Sequence, residues 1–102
     1  MSLVVTVETE RGLRVAQMVD EGDYLRRLAL QRESTGVIGT IDPFGQTMFN
    51  RLQLPQLIFE IDTLLSEPEP QTGNHSFLRE LAAFAKLCVD KGPHHYLWFH
   101  GD

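Results

Sequence analysis

With 42% hydrophobic and 23% charged residues, this 102-residue chain has the make-up of a single soluble globular domain, long enough to bury a core without staples. A net charge of −5 with nine scattered Lys and Arg argues against a general nucleic-acid binder, and the sharper reading of that charge is an acidic surface that docks a basic protein. No apolar run approaches the roughly 20 residues of a membrane span, and Cys88, the one cysteine, rules out an intramolecular disulfide.

The opening MSLVVTVETE lacks the basic region and long apolar core of a secretory signal. A cytoplasmic location is the expectation. Residues 3–9 read as a first strand, since Val4, Val5 and Val7 carry strong β-propensity. Residues 13–19 read as a second strand. A helix over 14–20 is the rival, because Val15, Met18 and Val19 also share a helical face. Gly12 and Gly22 argue against one long helix there.

Asp20 and Asp23 are both N-cap candidates for a helix running to about Arg32. Leu25, Leu28 and Ala29 form its apolar stripe, while Arg26, Arg27 and Gln31 face water. Ser34, Thr35 and Gly36 end it.

The segment VIGTIDPFGQTMFN, residues 37–50, predicts a β-hairpin. Val37, Gly39 and Ile41 alternate with Ile38 and Thr40. Asp42, Pro43, Phe44 and Gly45 read as a type I turn, and residues 46–50 as the returning strand.

Pro55 suits the first turn of a helix, where its missing N–H is no loss. Leu54, Leu57, Ile58, Ile61, Leu64 and Leu65 follow the spacing of one apolar face. Pro68 and Pro70 make 66–73 a linker. Asn74 or Ser76 caps a last helix to about Lys91, with a broad stripe that includes Leu78, Leu81, Ala85 and Cys88. Gly92 and Pro93 stop it. Tyr96, Leu97, Trp98 and Phe99 are apolar at every position, which suits an interior strand covered on both faces, by helices on one side and a partner on the other. The sum is an α+β domain: a mostly antiparallel sheet of four or five strands with three helices packed on one face.

The candidate chemistry is thin. On a strand, His94 and His100 share a face roughly 20 Å apart and His95 points the other way, so the three cannot share an ion. Cys88 lies on an apolar stripe and reads as core. Asp42 has a turn role, and Glu60 and Asp62 fall on different helical faces, so no acid–base pair stands out. No phosphate loop or serine-hydrolase elbow is present. Asn50, Arg51 and Gln53 form a polar cluster. They either bond exposed backbone at the strand-to-helix corner or join Asp42 and Gln46 on one recognition surface. Trp98 reads as core, or as a contact if one face of its strand stays open.

Two stretches, IDPFGQTMFNRLQ and YLWFHGD, resemble signatures of a group of small, mostly uncharacterised bacterial proteins, with the pattern I-D-P-aromatic-G-x-T-x-F-N-x-x-Q and a terminal F-x-G-D. Ile41, Asp42, Pro43, Phe44, Gly45, Thr47, Phe49, Asn50 and Gln53 match, as do Phe99, Gly101 and Asp102. His100 stands where the pattern has an apolar residue. The resemblance covers these stretches alone and implies no activity. By analogy it implies an immunity-type or other partner-binding protein.

The leading expectation is therefore a non-enzymatic acidic module that binds a protein, such as a basic toxin, through Asp42, Gln46, Asn50, Arg51, Gln53 and Trp98. It needs no cofactor. One alternative is a small metal-binding enzyme with its site near the Asp42 turn and the C-terminal histidines. Another is a homodimeric structural module paired through the final strand.

Overall fold

Val4–Thr9 forms β1 and Arg14–Val19 forms β2, and the two run antiparallel. The structure, a computed structural model, describes residues 3–20, 22–31, 36–68 and 74–101. A tight turn joins the two strands, with Gly12 N donating to Thr9 O and Thr9 N to Leu13 O. The strand reading of 13–19 thus holds over the helical rival. The register shifts between Val7, opposite Ala16, and Glu8, opposite Arg14, which leaves Val15 as the extra residue of a bulge.

Helix α1, Tyr24–Gln31, buries Leu25, Leu28 and Ala29. Of its two cap candidates, Asp20 supplies the carboxylate: its Oδ2 accepts from Leu25 N at 2.8 Å and Arg26 N at 3.3 Å. The expected end at Arg32, and Ser34 and Thr35 after it, lie outside the described residues.

The predicted hairpin over 37–50 does not form. Ile38–Thr40 is a single turn of 3-10 helix, and Gln46–Phe49, here β3, pairs with a strand from the C-terminus. The reason is non-local. Glu60 comes from the second long helix and accepts from Val37 N at 2.9 Å and Ile38 N at 3.1 Å. That carboxylate satisfies the free N–H groups at the start of the turn. In a strand Ile38 and Ile41 would face opposite ways; three apart on a helical turn, both are buried. The turn at 42–45 does form. Phe44 N donates to Asp42 Oδ1 at 2.9 Å, and Asp42 N donates to Thr47 Oγ1 at 2.8 Å.

Helix α2, Leu54–Ser66, carries Pro55 in its first turn and buries Leu54, Leu57, Ile61 and Leu64. The linker read at 66–73 is described only as far as Pro68. Helix α3, His75–Lys91, follows Asn74 as its N-cap residue and buries Leu78, Leu81, Ala82, Ala85 and Cys88. Gly92, at φ 103, turns the chain out of it. Strand β4, His95–His100, then enters the sheet between β1 and β3.

The sheet is antiparallel throughout, in the order β2-β1-β4-β3. With three helices beside it, the architecture is the α+β arrangement that the sequence predicted. Val5, Val7, Leu97, Phe99 and Phe49 point into the core with the helix stripes, and Phe49 meets Phe99 edge-on at 5.4 Å. Among the described residues, no helix is long and apolar enough to cross a membrane.

The two stretches that carry the resemblance touch in space. Gly101 N donates to Gly45 O at 2.6 Å, and a Cβ on Gly101 would sit 2.3 Å from Pro43 O. The clash is with backbone, so it cannot be relieved by a side-chain rotation. Gly101→Ala is expected to cost about 1–3 kcal/mol in urea unfolding, the range for overpacking a fitted site. Gly22→Ala, where a Cβ meets nothing within 4 Å, is the matched control and should change stability little.

Candidate site on the open face of the sheet

Alternation along the strands sends a second set of side chains away from the helices. In register they are Val4, Thr6 and Glu8 of β1, Tyr96, Trp98 and His100 of β4, Gln46 and Met48 of β3, and Gln17 and Val19 of β2. Two of these are polar and almost fully covered: Thr6 is 0% exposed and Glu8 is 7% exposed. Their cover is lateral. Trp98 and Gln17 stand opposite Thr6, and His100 reaches across to bond both buried residues.

The hydrogen bonds form one connected set. Thr6 Oγ1 donates to Glu8 Oε2, and His100 Nε2 lies 2.8 Å from the same oxygen and 3.1 Å from Thr6 Oγ1. Arg14 Nε lies 3.6 Å from Glu8 Oε2, and Arg14 Nη1 donates to Gln17 Oε1 at 3.1 Å. On its other edge His100 Nδ1 meets Gln46 Nε2 at 3.3 Å. Trp98 lies parallel to the imidazole, with centroids 5.7 Å apart and planes 7° apart.

Proton positions follow from this geometry. An ionised carboxylate only accepts, so at 2.8 Å the His100 Nε2 must carry its hydrogen toward Glu8. In the neutral ring Nδ1 is then the acceptor, and Gln46 supplies the N–H. Burial by itself would raise the Glu8 pKa. The hydrogen bonds from Thr6 and His100, with the positive charge of His100 and Arg14, outweigh burial and hold the carboxyl below its ordinary value.

The residues singled out from sequence divide into two groups. Gln46 and Trp98 both stand on this open face, on either side of His100. Asn50 and Gln53 are engaged at the start of α2. Asn50 Oδ1 accepts from Leu52 N at 2.9 Å and Gln53 N at 3.2 Å, and Gln53 Oε1 accepts from Asn50 N at 3.0 Å. That is a reciprocal capping box, the backbone role weighed for them. Asp42 is tied into its turn, and Arg51 is exposed beside the cap. Thr6 and Glu8 were not among the expected site residues, and His100 figured only in the metal-enzyme alternative. The available signal was two polar residues interleaved with Val5 and Val7 on an otherwise valine-rich strand.

The histidines separate as the strand spacing predicted. His94 pairs with Glu10 at 2.9 Å at the far end of β4, and His95 stands opposite Thr9. His100 adjoins Gly101, which packs on the Asp42 turn. Among the described residues, no group of three or more His, Cys, Asp or Glu is placed to hold a metal ion. Cys88 is buried, and burial pushes its thiol up to about 11, which leaves it protonated at neutral pH.

The Glu8 set has an acid signature. Its carboxyl is held below the unfolded value, so its stabilisation is present above that value, near 4.5, and is lost as pH falls through the folded one. Asp20 works in the opposite sense: burial raises its pKa, with its backbone bonds only partly offsetting this, so its ionisation opposes folding as pH rises. Comparison with Thr6→Val cancels the Asp20 contribution. That variant should lose about 1–3 kcal/mol near neutrality, and should lose less than the parent on going to acid. Urea midpoints at neutral and acid pH measure both effects.

Compared with family models, with curated proteins and with solved structures, the chain matches none of them.

Proposed function

We propose that this protein is a non-enzymatic protein-binding module that docks a basic partner on the open face of its sheet. The observation that carries the reading is the pairing of a half-buried Trp98 with a connected polar set built on the buried Thr6 and Glu8. An aromatic anchor whose orientation is fixed before contact loses little freedom on binding. Met48, at 41% exposure, stands directly opposite Trp98, and Val19, at 40%, adds apolar area on the same face two strands away. The net charge of −5 favours encounter with a cationic protein. An immunity-type role, neutralising a basic toxin, fits both the charge and the resemblance carried by residues 41–53 and 99–102. The cytoplasm is the compartment that this role suggests.

A second copy of the chain is the rival occupant of the same face. Both backbone edges of β4 are used by β1 and β3, so copies cannot pair through that strand's edge without displacing a neighbour. A dimer would have to form face to face. A small metal enzyme is the other alternative; it draws on His100 alone near the Asp42 turn, since His94 and His95 lie at the opposite end of the strand.

Capture from the native host by the immobilised protein, repeated at low and high salt, tests the reading. Trp98→Ala and Met48→Ala should each weaken retention by about tenfold or more, in line with loss of a central anchor. Phe59→Ala, on the exposed side of α2, should leave it unchanged. Retention unaffected by the sheet-face variants contradicts the proposal. Self-association lost on Trp98→Ala points to the dimer, and stoichiometric metal lost on His100→Ala points to the enzyme.

A further inference from the structure

We infer that protonation of His100 inverts the hydrogen-bonding pattern of the docking face, so that partner binding is proton-controlled. The inference rests on the docking reading above for its consequence, but its mechanism belongs to the free protein.

Glu8 anchors one edge of the imidazole in either charge state, because Nε2–H donates to the carboxylate whether the ring is neutral or cationic. Only the outer edge can change. In the neutral ring Nδ1 accepts from the Gln46 amide nitrogen, which turns the Gln46 oxygen outward as an acceptor. Once Nδ1 is protonated, two N–H groups would face each other. A half-turn of the amide relieves this by giving the oxygen to the ring and the NH2 group to the surface. One proton therefore converts an outward acceptor into an outward donor and adds a positive charge beside Trp98.

Among the described residues, two charged groups face His100. Glu8 comes from β1, and Arg14 of β2 acts through Glu8 at 3.6 Å. Strand β3 contributes the neutral Gln46. The imidazole is 19% exposed, so solvent protons reach it while most of the ring stays covered. A basic partner offers Lys or Arg donors. The neutral face accepts them, and the protonated face repels them, so acidification should release the partner.

The protein carries its own reporter, since its single tryptophan is the ring stacked on His100. A cation formed against an indole face changes its emission. Nitrogen-15 spectra of the histidine side chains near pH 8 should find His100 protonated at Nε2 and bare at Nδ1; the opposite tautomer overturns the inference. Acidification should quench Trp98 in one step. The Gln46 side-chain amide resonances should move with the same midpoint. His100→Gln should abolish the quenching, whereas His94→Ala should not. A Gln46 amide that stays still while His100 titrates overturns the switch, and this readout needs no variant. Capture on the sheet face should weaken by tenfold or more between about pH 8 and about pH 5 in the parent but not in His100→Gln. Equal capture at both pH values overturns the control, whereas capture insensitive to Trp98→Ala overturns the docking reading and leaves the switch standing.

Discussion

A carboxylate covered to the extent of Glu8 tolerates no careless surroundings. Burying an unpaired carboxylate would cost more than the whole stability margin of a small domain. Thr6, His100 and Arg14 all converge on its Oε2. Those partners come from β1, β4 and β2, and His100 extends the set through Gln46 to β3. One buried charge thus ties together all four strands on the side where no helix holds them. It also opposes misregistration: a one-residue slip of β4 would turn His100 into the core and take the imidazole away from Glu8.

The inner face needs no such device. Val5, Val7, Leu97 and Phe99 are specified by apolar packing in the core, where α3 lies against β1 and β4. Among the described residues no second layer covers the outer face, where a polar network lies beside the half-buried Trp98 ring. That division of labour links the fold to the proposed docking role. The helices back the sheet, the Glu8 set holds His100, and Trp98 lies parallel to the His100 ring. What remains available for contact is Trp98 with Met48 opposite it, and Val19 farther along the same face.

Strands and helices were legible in the sequence wherever periodicity and punctuation acted locally. The valines of β1, the Pro55 start of α2 and the Gly92-Pro93 stop of α3 are instances. The hairpin reading of 37–50 failed because its first arm answers to Glu60, a residue over twenty positions downstream. Alternation in Val37–Ile41 is compatible with a strand, and only the tertiary carboxylate selects the 3-10 turn. Half of the candidate site was equally hidden. Gln46 and Trp98 stood out by residue type, but Thr6 and Glu8 looked like the solvent side of an ordinary strand. Their meaning depends on β4 lying beside β1, and strand order cannot be read from periodicity. Asn50 and Gln53 went the other way: their spacing already contained the capping box that the structure displays.

The open face is organised by the bond between Glu8 and His100. A double-mutant cycle in urea, using Glu8→Gln, His100→Gln and the pair together, isolates it from every other contact the two residues make. Residues that act as one unit should show a coupling energy of about 1–3 kcal/mol at neutral pH, with the double variant far less destabilised than the sum of the singles. Strictly additive losses would mean that the pair is incidental to the open face, and that nothing built on it holds.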